Sequence, residues 1–113
     1  MINFNKDSYG QEIRVNFGQS LVGATSLKMK FVPKSGQDID VTATLGTSRV
    51  AVGDEYYEIN EYLEYTVTDG MFDDYVGLWK KKGTVLLSGA GISTELELFR
   101  VTGQESIATR YPW

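Results

Sequence analysis

The chain has 113 residues, with neither cysteine nor histidine, and carries a net charge of −4 at pH 7. These absences exclude disulfides and thiolate metal sites, and they remove the commonest general base. The acidic balance argues against a nucleic-acid-binding protein, and no apolar run is long enough to cross a membrane. Twelve glycines against two prolines, with many Thr, Val and Tyr residues, predict one all-β domain.

The first predicted strands have one apolar and one polar face. Residues 1–10 open with Ile2 and Phe4 alternating with asparagines, which predicts either a short strand or an arm lying on a neighbour. Residues 12–17 alternate more regularly and predict a strand. The strand over residues 27–32 places leucine, methionine and phenylalanine on one face and lysines on the other. We expect the rest of the chain to cover that apolar face.

The middle of the chain contains the ambiguous stretch. Alternation over residues 39–45 predicts a third strand, paired as a hairpin with the preceding one. Residues 49–52 form a short apolar piece. Residues 55–68 fit a helical stripe, but their Tyr, Thr and Val content favours a short strand or turn at 55–59 and a strand at 61–68.

The last third of the chain predicts further strands. Alternation over residues 74–81 indicates a strand that turns at Lys82 and Gly83 into a hairpin partner at 84–88. The three lysines at 80–82 then form an exposed basic hairpin tip, which is either a solvated turn or a contact with an acidic neighbour. A flexible glycine loop is expected next, followed by the last strand at 93–102. Apolar residues occupy both faces of that last strand, which requires a bulge or a second covered face. About seven short strands separated by turns predict an antiparallel β-sandwich.

Candidate chemistry comes from acidic and aromatic clusters, each with a structural alternative. Asp69, Asp73 and Asp74 are either Ca²⁺ ligands or turn residues that bond the backbone. Glutamates interleaved with tyrosines over residues 55–65 form either a sugar-binding or glycosidase-like patch, or a solvated sheet face. Tyr75 is either a tyrosine corner or a core residue.

Two runs of the chain carry a family pattern. These are "SLVGATSLKMKFVPKSGQDIDVTATL" and "YLEYTVTDGMFDDYVGLWKKKGTVLLSG…STELELFRV". Over residues 11–103 the chain resembles the immunoglobulin-like domain of bacteriophage virion proteins, and is similar to the N-terminal domain of phage baseplate upper proteins. The matching residues are Leu21, Gly23, Ala24, Thr25, Leu27, Phe31, Pro33, Gly36, Gly70, Tyr75, Gly77, Phe99 and Val101.

The resemblance implies an immunoglobulin-like antiparallel β-sandwich of about seven strands at 11–103. The apolar residues that follow it indicate a C-terminal arm at 104–113. It implies a structural virion protein of a tailed bacteriophage, serving as a tail, baseplate or neck adaptor or as a decoration subunit. Such a protein acts by protein–protein contacts with other virion proteins and with copies of itself. No enzymatic activity, cofactor, metal, nucleic acid or membrane is implied. We expect the protein in the virion, assembled in the host bacterial cytoplasm.

The alternative function is a carbohydrate- or receptor-binding module that attaches to a host-surface glycan. For either function, the expected contact residues lie at the two termini and in the tyrosine patch. The apolar tail at 104–113 docks either on its own domain or on a neighbour. The predicted interface residues are Ile2, Phe4, Tyr56, Tyr57, Tyr62, Ile107, Tyr111 and Trp113.

Overall fold

Strands make up the regular structure of the computed structural model, which describes residues 2–103. No helix occurs in this range, so the helical alternative for residues 55–68 is wrong and the strand prediction there is confirmed. Nor, therefore, does any helix in this range span a membrane. The strands are β1 (Ile2–Asn5), β2 (Glu12–Asn16), β3 (Thr25–Pro33), β4 (Ile39–Thr42), β5 (Thr44–Leu45), β6 (Val50–Val52), β7 (Glu55–Tyr57), β8 (Tyr62–Thr66), β9 (Gly77–Leu87), β10 (Ala90–Ser93) and β11 (Glu97–Thr102).

The strands form three sheets. The main sheet has the order β1-β11-β9-β3-β4, and β10 also pairs with β9. Its pairs are antiparallel except β1 with β11, which run parallel. The second sheet has the order β2-β8-β5, and β6 and β7 form a separate hairpin. The predicted all-β architecture is confirmed, and its sheets are compatible with a β-sandwich.

The strand β3 has the alternation that the sequence predicts. Met29 and Phe31 face the core and are 1% and 0% exposed, while Lys28 and Lys30 beside them face outward. The hairpin with β4 is confirmed by the pairing of Phe31 with Ile39. The predicted strand at 39–45 nevertheless divides at Ala43, whose N–H bonds the Leu27 carbonyl. Beyond that point β5 leaves the main sheet and pairs with β8.

The strand β9 differs most from the prediction. The expected turn at Lys82 and Gly83 does not form, and β9 continues unbroken to Leu87. A Cβ atom on Gly83 would lie 2.8 Å from the Phe17 ring, so this glycine marks a close approach inside a strand. The chain reverses at Ser88 and Gly89 instead, and the expected flexible loop forms part of β10.

The strand β11 resolves the two-faced pattern without a bulge. Phe99 and Val101 point into the core and are both fully buried. Leu98 points outward and is 48% exposed, and Leu96 precedes the strand. The register with β9 runs without a shift from Glu97 to Val101. The apolar residues on the second face are therefore left at the surface.

Aromatic rings fill the centre of the core between the sheets. The Phe72 ring lies 5.2 Å from Trp79 and 5.6 Å from Phe99, measured between ring centroids. Phe72 comes from the turn before β9, so a turn residue helps to fill the core. Of the two alternatives for residues 1–10, the strand is observed: β1 pairs with β11 and Phe4 packs edge-on against Phe99.

Candidate functional site

A buried lysine connects the two larger sheets. Lys81 follows Trp79 on the inner face of β9 and is only 2% exposed. Its Nζ donates a hydrogen bond of 2.6 Å to the Arg14 carbonyl oxygen on β2, and lies 3.8 Å from the Glu97 carboxylate on β11. A buried ammonium group needs such partners because desolvation is costly. Lys81 therefore belongs to the domain's internal structure, and the predicted exposed tip at residues 80–82 is wrong.

The surroundings of Lys81 and Tyr57 shift the pKa values of these two groups. We call Arg14, Glu55, Tyr57, Lys81 and Glu97 the Lys81 cluster. Burial lowers the pKa of Lys81, and the charges of Glu97 and Glu55 only partly oppose this effect. Burial also raises the pKa of Tyr57, helped by the hydrogen bond that its hydroxyl donates to Glu55. The cluster joins residues from all three sheets.

A polar pocket of about 210 Å³ opens beside the Lys81 cluster. The Asn16 amide donates to the Tyr56 carbonyl at 3.2 Å, so the pocket wall is itself hydrogen-bonded. Carboxylate, amide and phenol groups in one pocket suit a ligand rich in hydroxyl groups. Within residues 2–103 no group of acidic side chains is close enough to hold a metal ion. The pocket is lined by Asn16, Glu55, Tyr56, Tyr57 and Glu97.

One aromatic ring at the edge of this pocket faces solvent. Tyr56 is 56% exposed, and the Arg49 guanidinium lies 4.6 Å from the centre of its ring. Arg49 is held there by an ion pair of 2.7 Å with Glu58. This stacking is a cation–π contact and orients the ring.

The outer face of the main sheet carries a second depression. Lys80 on β9 is paired with Val32 on one side and with Leu98 on the other. These three positions point away from the core, because their neighbours Trp79, Phe31 and Phe99 point into it. A groove of about 330 Å³ lies here, which we call the outer-face groove. It is lined by Val32, Pro33, Lys34, Leu78, Lys80 and Leu98.

The face around the outer-face groove is basic, although the chain is acidic overall. Lys30 lies directly opposite Lys82 in the β3–β9 register. Like charges at directly opposed positions destabilise a sheet. Asp40 and Asp38 approach the Lys30 ammonium only to 3.8 and 4.0 Å, so compensation is partial. An arrangement that lowers stability is common where a surface serves binding.

The predicted interface residues lie in different environments. Phe4, Tyr57 and Tyr62 are 5%, 2% and 0% exposed, so they pack inside their own domain. Ile2 is partly buried against the core, and Tyr56 is at the surface. Ile107, Tyr111 and Trp113 lie outside the described residues.

Tyr62 has a structural role that explains its burial. Its ring lies against Gly46, where a Cβ atom would come within 2.0 Å of the ring. Its hydroxyl donates to the Ser48 carbonyl oxygen at 2.9 Å. This bond ties the start of β8 to the chain segment after β5. Tyr75, which the sequence left open as a tyrosine corner or a core residue, is partly buried against the core. Its backbone carbonyl accepts a hydrogen bond from the Trp79 indole.

Three glutamates of the expected acidic and aromatic patch each contact a different partner inside the domain. Glu64 forms an ion pair of 2.9 Å with Arg14, its directly opposed neighbour on β2. Glu58 pairs with Arg49, and Glu55 accepts from the Tyr57 hydroxyl. These contacts favour the structural alternative for the patch.

The sequence selects Tyr56 and Tyr57 of the polar pocket, but it does not identify Lys81 as a buried residue or the residues of the outer-face groove. Only an unbroken alternation through residues 77–87 places Lys81 on the Trp79 face. The sequence does show that Leu98 is an apolar residue on the face opposite to Phe99, and an apolar residue on an outer face indicates a surface such as the groove. No family model matches the chain, and no match was found among the curated proteins or the solved structures.

Proposed function

We propose that this chain is a structural subunit of a tailed-bacteriophage virion and acts through protein–protein contacts rather than catalysis. The motif resemblance over residues 11–103 supports this proposal. In this function the protein is part of the tail, baseplate or neck, or decorates the particle, and it contacts other virion proteins and copies of itself. It reaches the virion after assembly in the bacterial cytoplasm.

The strand order supports an immunoglobulin-like topology within this proposal. In a variable-type immunoglobulin domain one sheet contains strands G, F, C and C′, and the other contains B, E and D. Taken in sequence order, β11-β9-β3-β4 and β2-β8-β5 correspond to these two sets. This topology presents a broad outer sheet face, which in the present chain contains the groove.

The observation that supports action by protein–protein contact is the aliphatic outer face of the main sheet. Leu98 is 48% exposed beside Val32 and Leu78, although the domain buries a full core elsewhere. Leu96 and Val76, at the ends of adjoining segments, are 48% and 44% exposed. Grouped exposed aliphatic side chains with a charged rim are typical of protein interaction surfaces.

Quantitative mass spectrometry of purified particles tests this function. Particles from a phage that encodes the chain are purified through a density gradient and compared with the infected-cell lysate. We expect the chain in the particles at a fixed copy number that matches the symmetry of one virion substructure. A chain that is abundant in the lysate but absent from gradient-purified particles contradicts the proposal.

A second candidate function, glycan binding, is favoured by one observation. Tyr56 is exposed at the edge of the polar pocket that contains Glu55 and Asn16. Aromatic rings beside hydrogen-bonding groups suit sugar rings. This function predicts signals on an array of bacterial surface glycans that Tyr56→Ala abolishes and Leu98→Ser leaves unchanged. An array without any signal removes this candidate.

A further inference from the structure

We propose that the outer-face groove binds an extended acidic segment of a partner protein, in which a large apolar side chain is flanked by carboxylates. This inference deepens the proposed function, since it names the chemistry of the partner. It depends on two properties of one surface, an apolar floor and a basic rim.

The apolar floor of the groove accounts for the anchor side chain. Val32, Leu78 and Leu98 come from three adjacent strands and converge around one depression, with Pro33 at its end. A volume of about 330 Å³ accommodates a large aliphatic or aromatic side chain. Burial of such a side chain removes apolar surface from water and so stabilises a complex. The floor is built on paired strands, so little ordering is needed on binding.

The basic rim accounts for the flanking carboxylates. Lys34 and Lys80 line the groove and are exposed. Lys30 and Lys82 oppose each other on the same face, and an acidic segment would relieve their repulsion. Charge complementarity of this kind sets the preferred partner and speeds association. The basic residues of the rim and of the face beside it are Lys30, Lys34, Lys80, Lys82 and Arg100.

A protein segment fits this surface better than a nucleic acid does. The groove is lined by aliphatic side chains, whereas single-stranded nucleic acids bind aromatic stacking platforms in positively charged grooves. Nucleic acid and a second copy of this chain are accordingly treated as competing outcomes of the experiment.

Four probes test the proposal by titration into the ¹⁵N-labelled protein, followed by NMR and calorimetry. They are acetyl-Glu-Asp-Leu-Phe-Asp-Glu-amide, a form with Ala-Ala at its centre, a form with Lys for every acidic residue, and an oligothymidylate. We expect saturable binding of the first probe, with shifts at Val32, Leu78 and Leu98 and an affinity that falls with salt. The other three probes should bind at least about tenfold more weakly.

Matched variants locate the site. Leu98→Ser and Lys80→Glu should each weaken binding about tenfold, as expected for a central contact. Leu86→Ser is the apolar control, because Leu86 is 44% exposed on the outer face of β9 but does not line the groove. Lys28→Glu is the charge control, since its Cα lies about 13 Å along β3 from Val32, beyond the screening length of about 8 Å. Both controls should change affinity less than about threefold.

Several results would overturn the inference. Equal binding of all three peptides, or tighter binding of the oligothymidylate, excludes recognition of an acidic apolar segment. Dimerisation of the protein at high concentration would also exclude it, if Leu98→Ser abolishes the dimer and the acidic peptide does not inhibit its formation. The groove would then hold a second copy of the chain. If the chain is found in virions but the acidic peptide does not bind, the groove inference fails while the proposed function stands.

Discussion

Replacement of Lys81 tests the account of the core, because its burial was not expected from the sequence. Lys81→Ala removes three methylene groups beyond Cβ, which lowers stability by about 2.4 kcal/mol at about 0.8 kcal/mol each. It also leaves the Arg14 carbonyl without the donor that lies 2.6 Å away, which costs about 1–3 kcal/mol. Relief of the buried charge offsets part of this loss. We therefore expect the free energy of unfolding to fall by about 3 kcal/mol.

Lys81→Met separates the apolar stem from the charge. Methionine retains most of the buried stem and removes the desolvation cost of the ammonium, but loses the hydrogen bond to Arg14. We expect the free energy of unfolding of this variant to lie within about 1 kcal/mol of the wild type. Lys80→Ala is the control for an adjacent exposed lysine and should change stability by less than about 0.5 kcal/mol. Urea unfolding followed by tryptophan fluorescence measures all three values.

The pH dependence of the free energy of unfolding of the same variants is an independent test, because the burial of Lys81 fixes its direction. Burial lowers the pKa of Lys81 below the 10.5 of an unperturbed lysine. Between the lowered value and 10.5, the unfolded chain binds a proton at Lys81 that the folded chain does not. The wild type should therefore gain stability relative to Lys81→Met as pH rises through this window. A Lys81→Ala cost below about 1 kcal/mol, or a relative loss of stability in that window, refutes the reasoning.

Further predictions concern Gly46, Phe72 and Tyr57. Gly46→Ala places a methyl group within 2.0 Å of the Tyr62 ring and should lower the free energy of unfolding by roughly 3 kcal/mol or more, measured by thermal unfolding. Gly91→Ala is its control, because a Cβ atom there meets no atom within 4 Å. Phe72→Ala removes a fully buried ring and should cost about 3–5 kcal/mol in urea unfolding. Because the pKa of Tyr57 is raised above its ordinary 10.0, the wild type should lose stability relative to Tyr57→Phe as pH rises above that value.

Local alternation predicted most strands because each has one face toward the core and one toward solvent. Ile13 and Val15 on β2 are 1% and 0% exposed, and Met29 and Phe31 on β3 are equally buried. Their polar neighbours face outward, so a period of two in the sequence is sufficient to identify these strands. The helix alternative for residues 55–68 failed because the two strands there belong to different sheets.

Errors arose where a distant contact overrode a local signal. Lys82 and Gly83 have the composition of a turn, but Phe17 fills the space beside Gly83 and β3 pairs along the whole strand. Lys81 can face the core only because a carbonyl 67 residues earlier accepts a hydrogen bond from its ammonium group. Phe72 lies in a turn, where alternation carries no information about burial. None of these partners can be identified from the local sequence.

The site was only partly predictable for the same reason. Tyr56, Tyr57 and Tyr62 were grouped by sequence proximity, yet only Tyr56 is exposed. The outer-face groove joins β3, β9 and β11, whose register is set by tertiary structure. Leu98 was recognisable as an apolar residue on the second face of its strand, but its neighbours Val32 and Leu78 were not.

Lysine acetylation under native conditions tests the central claim, that β9 runs unbroken and directs three consecutive lysines to opposite faces. The folded protein is treated briefly with sulfosuccinimidyl acetate, and modification at residues 80–82 is quantified by peptide mass spectrometry. We expect Lys80 and Lys82 to react at least about tenfold faster than Lys81, with equal rates after unfolding in urea. A lowered pKa favours acylation of any accessible amine, so protection of Lys81 reports its burial. Equal native rates at all three lysines would indicate an exposed turn and contradict the account.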